Sequence, residues 1–432
     1  MNILILGSGG REHALATAYG KSKKINIIVV APGNGLMDYK TKKVKTAPSV
    51  LATNFDGALR LIKKYEIDLV DVAADDQLAE GFVDKLQALG IKAFGPTQKE
   101  AEIEWNKDWS RHFMEKYKLP VPSYRSFSDI KKGAAYVKNL KEQVLYIKAS
   151  GLALGKGAIR AENKDEAIKA INSMKSFGKA GETFLIEECM VGEEFSLFAI
   201  CDGKNYQIFG MAQDHKNVYN HDSGPNTGGM GCISNPQIVT PNIIKKVKRT
   251  ILDPFMKGMK KEGRPYTGIL YLGAMLTKNG VKIVEFNARW GDPEAEVLIP
   301  AIKTDYLTIV ENALSQKLNQ TEISCDKIHR ISIAGCSLGY PIDYASVKGK
   351  QVIGLDKAMA FLGVNVFGAG LVRKNNQFLA HGGRVFHLVG EGKTLLEARA
   401  KVYGAMSIIS IVGDNLHYRT DIGWRDLERI KK

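Results

Sequence analysis

The chain reads as an α/β protein with an N-terminal doubly wound parallel sheet, a central unit organised around a long hairpin, and a small C-terminal mixed α/β domain. Three observations predict this. Residues 1 to about 104 alternate short apolar runs with amphipathic stretches, the pattern of a parallel sheet covered by helices. Asn279-Gly280 lies between two apolar runs, the strongest short-range hairpin signal. Beyond about residue 330, extended runs surround one long helical stretch, Thr394 to Ile409.

In the N-terminal part the strands are expected at Ile3 to Leu6, Ile25 to Ala31, Leu69 to Ala73 and Ile91 to Phe94, with helices at Phe55 to Tyr65 and Leu78 to Leu89. Ligands on such sheets gather beyond the C-terminal ends of the strands, where Gly7-Ser-Gly-Gly10 sits. The dinucleotide fingerprint wants glycines at 7, 9 and 12, and position 12 is Glu. The second strand ends Val30-Ala31-Pro32 without an acid for a ribose, so a nicotinamide oxidoreductase is the weaker reading. In the C-terminal domain the strands are expected at Ile331 to Gly335, Asn365 to Leu371, Phe378 to Ala380 and Arg384 to Val389.

Val144 to Ser150 reads as a strand, Gly151-Leu-Ala-Leu-Gly-Lys-Gly157 as a glycine-rich loop, and Ala158 to Ala161 resumes the extended pattern. Glycines let backbone N–H groups approach phosphate oxygens, and Lys148 and Lys156 add positive charge. This is not a Walker A loop, because Gly157 stands where a Ser or Thr would hold the metal. A metal must then be held elsewhere. Downstream, strands at Phe184 to Glu188 and Phe195 to Cys201 flank an acidic connection. Its carboxylates suit ribose hydroxyls, and the backbone around Glu188 to Met190 suits an adenine edge. An ordinary charged turn is the competing reading.

The stretch Ile283 to Glu294 is the most informative. It follows the Asn279-Gly280 turn, with Gly268 to Leu276 before it and Val281 to Phe286 after it. Strand alternation puts Glu285 and Asn287 on one face, and Val284 and Phe286 on the other, toward a core. An acid beside an amide offers hard oxygen donors suited to Mg²⁺, which shares its remaining ligands with phosphates and water. The segment points to a nucleoside triphosphate enzyme; a polar face meeting solvent is the alternative.

Composition agrees with a globular protein of several cores: 44% hydrophobic and 25% charged over 432 residues. The net charge of +15 invites a nucleic-acid reading. The lysines are spread along the chain, however, and no aromatic-interleaved basic block occurs, so no nucleic-acid partner is expected. A positive field still assists phosphate-bearing substrates. No apolar run has the length to span a bilayer, so no membrane association is expected. Asn2 to Leu6 is too short for a signal-peptide core. The five cysteines, at 189, 201, 232, 325 and 336, form no Cys-x-x-Cys. That favours a reducing compartment and a cytoplasmic location.

In this order the segments resemble the ATP-grasp superfamily and, within it, the phosphoribosylamine–glycine ligase family. The resemblance runs nearly end to end. It includes Gly7 to Leu15, Ala31-Pro-Gly-Asn34, Phe94-Gly-Pro-Thr97, Ile147-Lys-Ala149 with its glycine loop, Gln213-Asp-His-Lys216 and Ser223 to Gly231. Tyr266-Thr-Gly268, Glu285-Phe-Asn287 through Glu294, Gly382-Gly-Arg-Val385 and Tyr418 to Gly423 complete it.

The resemblance implies an N-terminal substrate-binding domain at 1–104, an ATP-grasp domain at 107–313 with a lid at about 120–193, and a C-terminal domain at 330–432. It implies ATP-dependent ligation of glycine to 5-phosphoribosylamine through glycyl phosphate, with Mg²⁺ or Mn²⁺, in purine biosynthesis. Lys107 and Lys148 match lysines near the ATP phosphates, and Gly151, Gly155, Lys156 and Gly157 the loop that covers them. Glu187 and Cys189 fall at the adenine hinge, and Glu194 matches the ribose-binding acid. Glu285 and Asn287 match the metal ligands, while Arg289 and Asp292 face the acyl-phosphate region. Gly9, Gly10, Arg11, Glu12, Asp75, Asp214 and Arg384 are the substrate-binding candidates, with Arg384 expected to hold the substrate phosphate bidentately. His215 is expected to orient rather than act as a base.

The chain departs from the family pattern at Ala73-Ala-Asp-Asp-Gln-Leu78, where Gly-Pro-Glu-x-Pro-Leu is common. Asp75 there replaces a longer carboxylate. Trp105-Asn106 replaces the usual small residues before the ATP-grasp lysine, Cys189-Met190 stands for Phe-Leu, and Arg289-Trp290 for Arg-Phe. The altered 73–78 segment keeps open another carboxylate–amine ligase of the superfamily. A non-enzymatic nucleotide-binding regulator is the second alternative, opposed by the retained Glu285, Asn287, Lys107 and Lys148.

Overall fold

The computed structural model describes residues 1–153 and 156–431. The chain opens with β1 (Asn2–Gly7), α1 (Gly10–Gly20), β2 (Ile27–Pro32), β3 (Val44–Thr46), α2 (Phe55–Tyr65), β4 (Leu69–Asp71), α3 (Asp75–Ala79), α4 (Phe82–Ala88) and β5 (Ala93–Phe94). The five strands form a parallel sheet in the order β3-β2-β1-β4-β5. Ile3 to Leu6 and Ile28 to Ala31 are fully buried, as strands covered on both faces must be. The strand order reverses at β1, so the crevice at the ends of β1 and β4 is the switch point where ligands bind such sheets.

Helix α5 (Gln98–Trp105) starts in a Thr97–Glu100 capping box, and Asn106 accepts the Trp109 N–H to start α6 (Lys107–Lys116). The break at Asn106 places Lys107 in the first turn of α6. The helix dipole disfavours a cation there.

The lid follows: β6 (Tyr124–Phe127), α7 (Ile130–Asn139), β7 (Leu145–Ala149), β8 (Ala158–Ala161), α8 (Lys164–Ser173) and β9 (Phe184–Glu188). Its antiparallel sheet, ordered β6-β9-β7-β8, buries Val137, Ile147, Ala167, Ile171 and Phe184 in a core of its own.

The base contains β10 (Gly192–Asp202), β11 (Tyr206–Asp214), the hairpin β12 (Asn217–Tyr219) with β13 (Ser223–Asn226), β14 (Gly231–Ser234), α9 (Pro241–Val247) and α10 (Asp253–Lys261). It continues through β15 (Thr267–Thr277), β16 (Gly280–Asn287), α11 (Glu294–Leu298), α12 (Tyr306–Leu314) and β17 (His329–Ser337). The last part adds β18 (Gln351–Ile353), α13 (Leu355–Ala358), β19 (Val364–Gly368), β20 (Leu371–Lys374), β21 (Gln377–Ala380), β22 (Arg384–Gly392), α14 (Leu395–Met406), β23 (Ser410–Ile411), β24 (Leu416–His417) and α15 (Trp424–Lys431). One antiparallel sheet runs β16-β15-β10-β11-β14-β17-β22-β19, with β24 beside β17. It therefore crosses position 330 without interruption, since β14 pairs with β17. A second small sheet is ordered β20-β21-β18-β23. No helix among the described residues is long and apolar enough to cross a membrane.

Four local expectations need correction. The stretch 78–89 is two helices, α3 and α4, separated by Gly81 at φ +70°. The strand expected at Leu69 to Ala73 ends at Asp71, and α3 begins at Asp75. The stretch 365–371 is two strands in different sheets, β19 and β20. Val284 does not face the core as Phe286 does. Gly273 pairs with Glu285 but Ala274 pairs with Ile283, so Val284 is the extra residue of a β-bulge, which re-aims side chains beside a site. Val281, Ile283 and Phe286 supply the core contacts instead.

Candidate active site

Two small hollows adjoin, the first between lid residues and the β16 strand, and Val284 and Glu285 line both. The bulge in β16 exposes these two consecutive residues to the cleft. The first hollow is lined by Lys107, Lys148, Glu187, Arg111 and Glu104, the second by Glu194, Ser196, Asp214, Lys216 and Tyr271. Glu285 therefore stands between two cationic groups. Burial opposes its charge, but Lys107, Lys148 and Lys216 outweigh burial and hold its carboxyl below the ordinary range. Lys107 is pushed down by burial despite Glu285. Both shifts have the sign expected of a desolvated cleft whose anion has several cations around it.

Lys148 is held by Glu187, with Nζ 2.7 Å from Oε2. Arg111 grips the same carboxylate from α6, Nε to Oε1 at 2.6 Å and Nη2 to Oε2 at 3.0 Å, and also donates to the Val284 carbonyl at 2.7 Å. Burial works against the Glu187 anion; Lys148 and Arg111 prevail and lower its pKa to about 2. The side chain of Glu187 thus positions a lysine, a task distinct from the hinge role expected of it. Cys189 is half-buried, and its N–H points to the Val144 carbonyl at 3.3 Å. Glu194 is exposed on the rim of the second hollow. Gly151 and Gly157 are described, as is an exposed Lys156; Gly155 lies outside the described residues.

Asn287 is buried, and among the described residues its Oδ1 receives only a long 3.4 Å contact, from Arg289 Nη2. Its lone pairs and the ionised Glu285 form a hard-oxygen donor set that fits a divalent cation sharing phosphate ligands. Asp214 Oδ2 pairs with Lys216 at 2.9 Å, and its Oδ1 accepts the His215 N–H at 2.8 Å. His215 is buried, and its Nε2 accepts the Gly423 N–H at 3.1 Å. Burial keeps the ring neutral, with its pKa lowered to about 4, which suits an orienting role.

The switch-point crevice lies beside this cleft. Glu12 Oε2 accepts the Gly9 N–H at 2.7 Å and Glu12 Oε1 accepts from Arg11 Nε at 2.5 Å. The start of α1 is thus capped by its own carboxylate, which explains why a Glu at position 12 replaces the dinucleotide glycine. Arg11 Nη1 also donates to the Trp290 carbonyl at 3.1 Å. Arg289 pairs with Glu104 at 2.9 Å and donates to the same Trp290 carbonyl at 3.1 Å. Asp75 is half-buried; burial opposes its charge, yet Arg289 and Arg11 lower its pKa. Asp76 is exposed.

Arg384 is engaged by protein groups around it. Its Nη1 donates to the carbonyls of Gly228 (2.9 Å), Gly229 (3.3 Å) and Asp292 (2.8 Å), and Nη2 lies 3.0 Å from Asp292 Oδ1. That guanidinium is built into the loops beside Asp292. Asp292 keeps its charge because Arg384, His387 and Arg11 outweigh its burial.

Family models of phosphoribosylglycinamide synthetase match the chain in three pieces: the N domain at residues 1–104, the ATP-grasp (A) domain at 105–295 and the C domain at 331–425. The chain belongs to the phosphoribosylglycinamide synthetase family. Its central part is thus an ATP-grasp domain of that family. Among family relatives, the phosphoribosylamine–glycine ligase of Caulobacter vibrioides is 41% identical, covering 99% of each chain. The human trifunctional purine biosynthetic protein adenosine-3 is 38% identical over 98% of this chain; the chain spans 42% of that protein's length. In three dimensions the chain is similar to the phosphoribosylamine–glycine ligase of Thermotoga maritima, with a TM-score of 0.82, 28% identity, and 98% and 100% of the two chains covered. It also shares the fold of a Campylobacter jejuni biotin carboxylase, with a TM-score of 0.71 at 16% identity over 98% of each chain.

Sequence reasoning missed Arg111, Glu104 and the grip of Arg111 on Glu187. A helical signal for Arg111 existed, because it lies four positions after Lys107 on the same face of α6.

Proposed function

We propose that this phosphoribosylglycinamide synthetase family member joins glycine to 5-phosphoribosylamine, with ATP cleaved to ADP and phosphate, as a step of purine biosynthesis. The observation that carries the reading is the adjacency of two sites. One is a lysine-rich cleft around Glu285. The other is a crevice where Arg11, Arg289 and Asp75 meet. The glycine carboxylate attacks the γ-phosphorus of ATP, and ADP leaves. The amine nitrogen then attacks the glycyl carbonyl carbon, phosphate departs, and the nitrogen loses a proton.

A divalent cation, Mg²⁺ or Mn²⁺, held by Glu285 and Asn287, would neutralise charge on the transferring phosphoryl group. Lys107 and Lys148 bind the phosphates, with Lys148 aimed by Glu187. The loop at 151–157 covers them and excludes water from the acyl phosphate. Arg289 and Asp292 order the acyl-phosphate region, and Asp75 receives the amine-bearing sugar. The five cysteines, all free thiols, fit a cytoplasmic location.

ADP release with ATP, glycine and freshly generated phosphoribosylamine tests this directly. Rapid release is expected only with all three present. Equal release with other amino acids, or indifference to the amine, would favour another carboxylate–amine ligase; no release under any condition would favour a nucleotide-binding regulator.

A further inference from the structure

Three side chains from separate elements meet behind the crevice. Asp292 precedes α11, Glu296 lies on it, and His387 comes from the middle of β22. His387 Nε2 is 3.4 Å from Asp292 Oδ1 and 3.9 Å from Glu296 Oε1, and the three donor atoms lie within 4.8 Å of one another. Glu296 and His387 are 0% exposed. Neither oxygen of Glu296 and neither nitrogen of His387 has a hydrogen-bond partner among the described residues. A buried polar atom without a partner is costly, and here two of them, Glu296 Oε1 and His387 Nε2, face each other beside Asp292 Oδ1. Asp292 has a cation in contact, Arg384 Nη2 at 3.0 Å; among the described residues Glu296 forms no pair with a Lys or Arg. The backbone also makes room for the cluster. A Cβ added at Gly10 would fall 2.1 Å from Glu296 Oε1 and 2.9 Å from His387 Cδ2, so the start of α1 presses directly against it.

We propose that Asp292, Glu296 and His387 bind a first-row divalent transition cation, Zn²⁺ or Mn²⁺, at a site separate from the Glu285–Asn287 pair. One imidazole and two carboxylates suit such ions, and the imidazole selects against Mg²⁺. Ligand bonds of about 2.0–2.2 Å in a tetrahedron set donor–donor edges of about 3.3–3.6 Å. The 3.4 Å edge already falls in that range, and the 3.9 Å edge needs a shift of a few tenths of an ångström. Arg384 on Asp292 Oδ1 and the Arg11 N–H, 3.4 Å from Asp292 Oδ2, act as the outer partners that orient a ligating carboxylate. The cation ties α11 to β22 beneath the glycine turn of α1, and so fixes the rear wall of the substrate crevice.

The test uses the full chain, stripped with chelator and dialysed against Zn²⁺ without nucleotide, with bound metal measured by elemental analysis. About one equivalent is expected in the unaltered protein and in Glu285→Gln, with affinity weakened at least about tenfold in His387→Ala and in Glu296→Gln. Zn²⁺ should raise the thermal midpoint of the unaltered protein and not of those two variants. If either variant fails to fold, Mn²⁺ added to the unaltered protein decides. Selective paramagnetic broadening of the Gly10 and His387 amide resonances supports the site. No Zn²⁺ uptake by the unaltered protein, uptake unchanged in both variants, or no such broadening overturns it.

Discussion

Lys148 and Arg111 share one carboxylate: Glu187 sits 2.7 Å from the lysine Nζ and 2.6 Å from the arginine Nε. Lys148 and Glu187 belong to the lid, and Arg111 belongs to α6, the helix that precedes it. The buried triad therefore joins the lid to α6 and at once fixes Lys148, the lysine proposed to bind phosphate.

Glu187→Gln is expected to raise the ATP KM and to destabilise the fold by about 3–5 kcal/mol at neutral pH, because two buried cations lose their anion. The pKa of Glu187, near 2 in the folded protein against 4.5 ordinarily, fixes the sign of its pH dependence. The unfolded chain binds more protons between those values, so the contribution is complete above about pH 4.5 and fades as pH falls toward 2. Urea unfolding at pH 7, 4.5 and 3 checks this. An acid limb as steep in the variant as in the parent protein would assign that loss to other groups.

Asp71 should behave in the opposite sense. Burial raises its pKa to about 7, against the opposing hydrogen bond from Tyr19 at 2.7 Å. The folded state then holds the extra proton between about pH 4 and 7, so this group costs stability as pH rises through that window. Asp71→Asn keeps an acceptor for Tyr19 and should gain roughly 1–3 kcal/mol at pH 8, with little gain at pH 4. Thermal midpoints at both pH values decide it; a variant equally or less stable at pH 8 refutes the account.

Asp75 and Asp76 separate cleanly. Asp75 lies in the field of Arg11 and Arg289, and Asp76 is exposed. Asp75→Asn should raise the phosphoribosylamine KM by roughly ten- to a hundredfold, the loss of a charge-assisted bond worth about 1.5–3 kcal/mol, and leave the ATP KM nearly unchanged. Asp76→Asn should alter neither. Steady-state kinetics with each substrate varied would disprove a binding role if the two variants matched.

Glu285→Gln and Asn287→Leu should each raise the Mg²⁺ concentration needed for half-maximal activity and lower kcat by several kcal/mol in transition-state terms, roughly. The fold should survive, because Val281, Ile283 and Phe286 carry the packing of β16. Circular dichroism with a Mg²⁺ titration checks both halves. Unchanged metal dependence in both variants would place the cation elsewhere.

Local periodicity was enough for much of the architecture. The expected limits of α2, Phe55 to Tyr65, match end to end, and the Asn279-Gly280 turn sets the register of β15 against β16 as the apolar runs require. Continuous apolar runs marked the parallel strands because both faces of that sheet are buried, and the order of motifs revealed the family. Tertiary structure alone decided the rest. The Val284 bulge, the division of 365–371 between two sheets and the commitment of Arg384 to loop carbonyls depend on partners far along the chain. So do the grip of Arg111 on Glu187, 76 positions away, and the meeting of His387 with Asp292 and Glu296. Periodicity reports which face of one element is apolar, a property of neighbouring residues. Which charged groups meet across a buried cleft depends on how several elements pack, and no short stretch of sequence holds that information.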